Sequence, residues 1–317
     1  MNYLYLLKRL VYMIISVVFV SSAVFAITNL VPGDVATYIL GTGATEERVA
    51  QVEADLGLDR PLYIQYLDFV GGVLTLNFGE SFVSGQPVSE MIWPRLIRTL
   101  QLATVAMVIS IITAIPLGII AASKRDTIVD QAITTTSYVG LSVPSFVSAT
   151  LFLLLFTSPP LELFPRGGYV PISDGVWPWL HHLLLPALAM NTIILAYVLR
   201  QTRSSMVETL ESEYIRTARL KGVAESNVLF SHAFRNGLLP TVTVLALNFG
   251  WMMGAVVIIE EIFAFPGIGE LIIQAIDSRD LPVLQAAILV PTIAFIIANF
   301  IADVVYTLLD PRITLGE

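Results

Sequence analysis

Six apolar runs constrain this chain more than anything else in it. They fall at about Leu10–Val31, Thr99–Ala122, Ala132–Thr157, Leu180–Leu199, Leu238–Ile259 and Val283–Leu309. A helix needs roughly 20 apolar residues to cross the hydrocarbon core of a bilayer. No water is present there to satisfy a backbone, so only helices and closed barrels span it, and runs of this length read as helices. Hydrophobic residues make up 56% of the chain and charged ones 13%, whereas soluble domains are about a quarter charged. The expected fold class is an all-α polytopic membrane protein with six transmembrane helices.

An even number of crossings puts both termini on one side. Lys8 and Arg9, Lys124 and Arg125, the cluster from Arg200 to Arg235, and Arg312 all fall in one set of loops. The other set is acidic, with Asp34, Glu46, Glu47, Glu53, Asp55 and Asp59, then Glu260, Glu261, Glu270, Asp277 and Asp280. Lysine and arginine gather on the cytoplasmic side, so both termini of this cell-membrane protein are expected in the cytoplasm. Lys8 and Arg9 followed by Val24-Phe25-Ala26 also have the outline of a cleaved signal peptide. The first run is longer than the roughly 7–15 apolar residues of such a peptide, so it reads as an uncleaved span.

Two of the connections are long. Residues 32–98 form an extracytoplasmic insert. Thr45 starts a short helix with Val49, Val52 and Leu56 on one face, and Gly57 closes it. Pro61 suits the first turn of another helix, with Leu62, Tyr66, Phe69 or Val70, and Val73 inward. The insert reads either as a small cap without a ligand or as a docking surface for another protein. Residues 200–237 form the main cytoplasmic loop. Val207, Leu210, Tyr214 and Ala218 share one face of a helix, Arg216 and Arg219 another, and Gly222 ends the pattern. A second short helix is expected from about Ser226 to Asn236. Amphipathicity alone would make this a basic segment that follows membrane topology and touches lipid head groups.

The order of residues in that loop says more. R-T-A-x-x-x-G at Arg216–Gly222 resembles the E-A-A-x-x-x-G loop of the membrane subunits of ABC importers. Glu213, Tyr214, Arg216, Thr217, Ala218, Arg219 and Gly222 stand in E-Y-I-R-T-A-R-x-K-G, followed by H-A-F-R-N-x-L-L-P at His232–Pro240. Together these resemble the dipeptide/oligopeptide/nickel permease family. Ala224 stands where that family often has a helix-capping serine. L-G-L-D-x-P, Q-Y, G-x-S and x-G-x-P-V between Leu56 and Val88 also resemble it, as do E-x-x-F-x-x-P-G-x-G from Glu260 to Gly269 and L-D-P-R at Leu309–Arg312.

That resemblance covers nearly the whole chain and implies a single permease domain, residues 1–317, with the type I ABC importer permease fold. It implies a coupling function for the seven loop residues, which would dock into a groove on an ATPase subunit. Phe265, Pro266, Gly267 and Gly269 would lie over the translocation path as an outer gate. On composition alone the same segment is a plug in the mouth of the bundle, with a short helix over Glu270–Asp277. Pro116, Pro144, Pro186, Pro240 and Pro291, one in each of the last five spans, suit a core of five bent helices with the first span as an outer belt. The implied partners are a second, homologous permease, two cytoplasmic ABC ATPases, an extracytoplasmic solute-binding protein and the lipid bilayer, with no nucleic acid. The implied solute is a di- or oligopeptide, or a nickel chelate.

Catalytic chemistry is not expected. The sequence has no cysteine, no G-x-x-x-x-G-K-[ST] to cradle ATP, no H-E-x-x-H and no G-x-S-x-G. No cofactor or metal is anticipated, and ATP hydrolysis is expected in partner subunits. His181 and His182 are adjacent and point to interfacial hydrogen bonding rather than a metal, while His232 reads as structural. Asp303 is the one acidic residue well inside a span, which keeps a proton-coupled secondary transporter as the alternative. No charged partner at matching depth and no inverted repeat accompany it. A membrane-integral enzyme would need a catalytic constellation that the sequence lacks.

Overall fold

A computed structural model describes residues 3–30, 35–40 and 44–309. In chain order the first helices are α1 (Tyr3–Leu30), α2 (Val35–Leu40), α3 (Glu46–Asp55), α4 (Leu62–Thr75) and α5 (Val88–Ser123). Next come α6 (Ile128–Ser142), α7 (Ser145–Thr157), α8 (Val176–Leu210), α9 (Glu213–Leu220) and α10 (Glu225–Asn227). The last are α11 (Phe234–Gly237), α12 (Leu239–Ile262), α13 (Ile268–Asp277) and α14 (Leu281–Leu309). Among the described residues, β pairing is confined to one isolated bridge between Glu80 and Pro87.

In α1 (over Leu7–Asn29), α5, α8 and α12 the chain is long and apolar enough to cross a membrane, and α6 with α7 passes as a fifth crossing bent by 101°. This is an all-α polytopic membrane protein. The sixth expected span falls on α14, whose apolar stretch among the described residues is the shorter Leu281–Ile297. Two expectations about prolines need correction. The third span is two helices rather than one bent helix: Val143 is extended (φ −96°, ψ 120°) because the ring of Pro144 disfavours the helical conformation of the residue before it. Pro240 lies in the first turn of α12, just after the break that separates α11 from α12, and not inside the span. Pro186 and Pro291 do lie inside helices. The side chain of Asp303 and the end of the L-D-P-R motif lie outside the described residues.

The chain divides after Thr99 and after Phe265 into two compact units. In the first, α1 packs along α14 and against α4. Phe25 meets Tyr66 edge-on at 5.3 Å and Phe69 at 5.7 Å. The Ser22 and Tyr66 hydroxyls are 2.7 Å apart, and the Gln285 amide donates to Thr28 at 2.9 Å. Tyr66, Phe69, Val70 and Val73 are half-buried as expected, but Leu62 is exposed. Gly57 takes φ +69° and closes α3, its N–H on Ala54 and that of Leu58 on Glu53.

The second unit is built on α8, which packs against α6, α7 and α12. Its core joins Leu102, Ala106, Leu183, Met190, Ile194, Val198, Met252 and Val256. Alanines at 103, 106, 114, 187 and 189, all fully buried, let helix backbones approach closely, the usual means of packing helices where lipid removes the hydrophobic driving force.

Candidate functional site

The long polar loop begins where α8 stops. Ser212 is extended (φ −67°, ψ 151°), and its hydroxyl donates to the Thr209 carbonyl at 2.6 Å. That local bond competes with continuation of the helix. The single face expected from Val207 through Ala218 is therefore broken, and α9 starts afresh at Glu213. On α9 the inward residues are Ile215 and Ala218, three apart, which join Ile119, Met206, Val228 and Ala233 in a small apolar core. Glu213, Tyr214, Arg216, Thr217, Leu220 and Lys221 face outward.

Gly222 follows with φ +77°, and a Cβ there would meet no atom within 4 Å. Its requirement is thus conformational rather than steric crowding. Val223 N–H reaches back to Ala218 O at 3.3 Å, ending α9 in the manner of a Schellman turn. Beyond it, α10, a π-helical stretch over Val228–Ala233 and α11 replace the one short helix expected near Ser226–Asn236. Ala224 supplies no side-chain cap. The loop returns to α8 at Gly237 of α11, where a Cβ would come 2.5 Å from the Met206 sulfur.

Ion pairs hold the loop in shape. The Arg219 guanidinium donates to both oxygens of Glu225, at 2.6 and 3.1 Å, and to the Leu210 carbonyl at 3.2 Å. Hydrogen bonding to Arg219 keeps the Glu225 carboxyl below the usual range. Arg125, at the end of α5, pairs with Glu211 at the end of α8. Arg216 lies 3.8 Å from Glu213, and both are largely exposed. The Tyr214 hydroxyl accepts from Asn236 at 3.2 Å, and His232 Nδ1 lies 3.1 Å from the Asn227 carbonyl.

Of the seven residues anticipated here, Glu213, Tyr214, Arg216 and Thr217 form an outer face. Ala218 instead seats the helix, Arg219 clamps the turn and Gly222 makes it. Sequence reasoning missed Ile215 as the inward anchor and Glu225 as the acceptor for Arg219. It also missed Leu220, an 82% exposed leucine on an otherwise polar face, which a helical wheel restricted to α9 would have shown.

The second anticipated group is split between the two units. In one, Phe265 is buried, its N–H on Glu260 O at 2.8 Å and its ring edge-on to Tyr169 at 5.7 Å. In the other, Arg98 donates to Pro266 O at 3.3 Å, Thr99 accepts the Ile268 N–H at 2.9 Å and Arg95 pairs with Glu270 at 3.2 Å. Gly267 precedes α13 with φ −105°, so no left-handed conformation is required of it; the short helix runs Ile268–Asp277. His181 and His182 each lie within hydrogen-bond distance of a backbone carbonyl, Leu163 at 2.8 Å and Pro178 at 2.9 Å.

The loop is thus an amphipathic helix, a left-handed glycine and a clamped return at the end of a membrane-length helix. Residues 114–315 fit the family described as binding-protein-dependent transport system inner membrane component. Residues 2–103 fit the N-terminal membrane component of such systems. The chain belongs to this family. It is the permease subunit of an ABC importer, a multi-pass protein of the cell membrane. Its relatives include a Brucella suis protein named as a peptide transport system permease, 42% identical over 97% of this chain and 98% of that one. A Sinorhizobium fredii protein named as a peptide ABC transporter permease is 38% identical over 98% of both chains. The glutathione transport system permease protein GsiC of Salmonella typhimurium is 37% identical, again over 98% of both. The permease thus aligns with these relatives over almost its whole length.

Proposed function

We propose that this permease carries di- or oligopeptides into the cell, driven by ATP hydrolysis in subunits bound at residues 213–222. The observation that carries this reading is the outer face of α9, with Glu213, Tyr214, Arg216 and Thr217 exposed and the helix held rigid by Ile215, Ala218 and the Arg219–Glu225 clamp. A preformed helix presenting an arginine fork and small neighbours suits insertion into a groove with carboxylates. The peptide solute is supported by the names of the relatives, and a nickel chelate is the other solute on this reading.

In the full arrangement, six spans at the positions given above place both termini and the 200–237 loop in the cytoplasm and the 32–98 insert outside, within one permease domain. A second permease, two ATPases and an extracytoplasmic binding protein complete the importer. Closure of the ATPases moves α9, and the bundle alternates between inward- and outward-open states. Phe265, Pro266, Gly267 and Gly269 act as the outer gate. The test is uptake of a labelled tripeptide into liposomes holding the four membrane-associated subunits, with binding protein supplied at the outer face. Uptake must need ATP and the ATPases; uptake without them would make the chain a secondary transporter.

A further inference from the structure

Two turns before α8 ends, adjacent side chains tie three other helices to it. Arg203 Nε and Nη2 each donate to the Asp130 carboxylate of α6 at 2.6 Å. Asp130 also accepts the Asp126 N–H at 3.1 Å and the Thr134 hydroxyl at 3.2 Å, and its side chain is only 5% exposed. Next to it, Thr202 is fully buried. Its hydroxyl donates to Val198 O at 2.8 Å, so at the 3.2 Å contact with Thr241 of α12 it is the acceptor. From α5, Gly118 comes so near that a Cβ would lie 2.7 Å from the Thr202 Cβ and 2.9 Å from the Leu199 carbonyl. Within Leu199–Arg203, α8 is therefore fastened to α5 by close backbone packing, to α12 by a hydroxyl pair and to α6 by a two-pronged ion pair.

We infer that this junction is a positioning element that carries displacement of α9 into the helix bundle, an inference resting on residues 213–222 being the ATPase contact. The same α8 reaches α9 and the loop's return through Met206, which shares the apolar core of Ile215 and Ala218 on α9 and meets Gly237 on α11. Apolar packing is dense enough to transmit a push but is non-directional, so it does not by itself single out one angle between two helices. A planar guanidinium fork on a carboxylate resists both rotation and sliding, because both bonds must break together. Asp130 is shielded from water, with 5% of its side chain exposed, while Arg203 keeps 28% of its own open. Arg203 and Asp130 thus lock the pitch of α6 to that of α8, so that a push on α9 turns the two helices as one body.

A pathway of this kind requires a coupling measurement rather than contiguity alone. The test uses the complete importer in liposomes, with Asp130→Asn, Arg203→Gln and the exchange Asp130→Arg with Arg203→Asp. Three quantities are read: ATPase retained per permease, ATP hydrolysed, and peptide taken up per ATP. The single variants are expected to keep their ATPases and their hydrolysis, while uptake per ATP falls about fivefold or more. The exchange recovers most of it. Should a single variant fail to insert, Thr241→Val, which removes only the hydroxyl contact to Thr202, is expected to lower uptake per ATP in the same direction. Unchanged uptake per ATP overturns the inference, and so does a parallel fall of uptake and hydrolysis or a loss of ATPases, since the junction would then only build the fold. Failure of the underlying reading is seen elsewhere, as full ATPase retention by the Gly222→Val variant.

Discussion

Arg219 grips Glu225 across Gly222, with Nη2–Oε1 at 2.6 Å and Nε–Oε2 at 3.1 Å, while its Nη1 holds the carbonyl of Leu210. One guanidinium thereby ties the end of α8, the end of α9 and the start of α10. The loop is a preformed body, so its outer face loses little conformational entropy when a partner binds. Arg219 is engaged in this clamp, whereas the Arg216 side chain is 73% exposed.

Gly222→Val should leave a folded, inserted permease that no longer retains its ATPases. A left-handed backbone costs a residue with a Cβ roughly 1–2 kcal/mol, and the open space around Gly222 removes any clash as an explanation. Gly222→Asn, which tolerates φ near +77°, should retain them. Co-purification from detergent separates the two variants.

Arg216→Glu should not change thermal stability by more than about 0.5 kcal/mol, as is usual for an exposed position. Losing one charge-assisted hydrogen bond, about 1.5–3 kcal/mol, should still weaken ATPase binding roughly tenfold or more. Titration of purified ATPase against permease in nanodiscs measures the ratio, and equal affinities would leave α9 as a lipid-facing segment.

Acid should loosen the loop. The Glu225 carboxyl is held below its ordinary range by its hydrogen bond to Arg219. A carboxylate shifted down on folding contributes stability that is fully present above its unfolded value, roughly 4.3, and is lost as pH falls through the folded value. The pair is solvent-exposed, at 43% and 67% of the side chains, so the effect is small, about 0.2–1 kcal/mol, and weaker in high salt. Hydrogen-exchange protection factors over residues 213–228 should drop more in acid for the native chain than for Glu225→Gln, which of the loop's ion pairs keeps only those of Glu211 and Glu213.

Thr99→Val should destabilise the segment after Pro266. The Thr99 hydroxyl accepts the buried Ile268 N–H at 2.9 Å, and an orphaned N–H costs about 1–3 kcal/mol. Thr99→Ser keeps the acceptor and should behave as the native protein. Thermal unfolding in detergent checks the first claim. Lowered uptake by Thr99→Val with normal ATPase retention would support the outer-gate assignment; unchanged uptake would favour a plug.

The absence of cysteine makes topology easy to read. Val83 is 49% exposed and Leu220 82%. A membrane-impermeant maleimide applied to intact cells should label Val83→Cys and spare Leu220→Cys until the cells are lysed. Labelling of Leu220→Cys in intact cells would invert the six-span arrangement.

The class of protein was legible in the sequence because its signals are local. Span length is matched to the bilayer, and Gly57 and Gly222 end helices by adopting positive φ within their own turns. The loop residues of the permease motif are contiguous for the same reason. Tertiary structure decided how those pieces face. The wheel that aligned Tyr214 with Ala218 assumed an unbroken helix, whereas Ser212 ends it, and burial of Ile215 against Met206 then chooses which side of α9 turns inward. Arg219 looked like an outward cation until Glu225 folded back across the turn. Pro144 announced a bend, but neither its size, 101°, nor the packing of both α6 and α7 against α8 could be read from it. Asp130 and Arg203 are 73 residues apart and form no pattern along the chain. Residue spacing reports only on neighbours within a turn or two, and a pair made across helices exists only once the helices have packed.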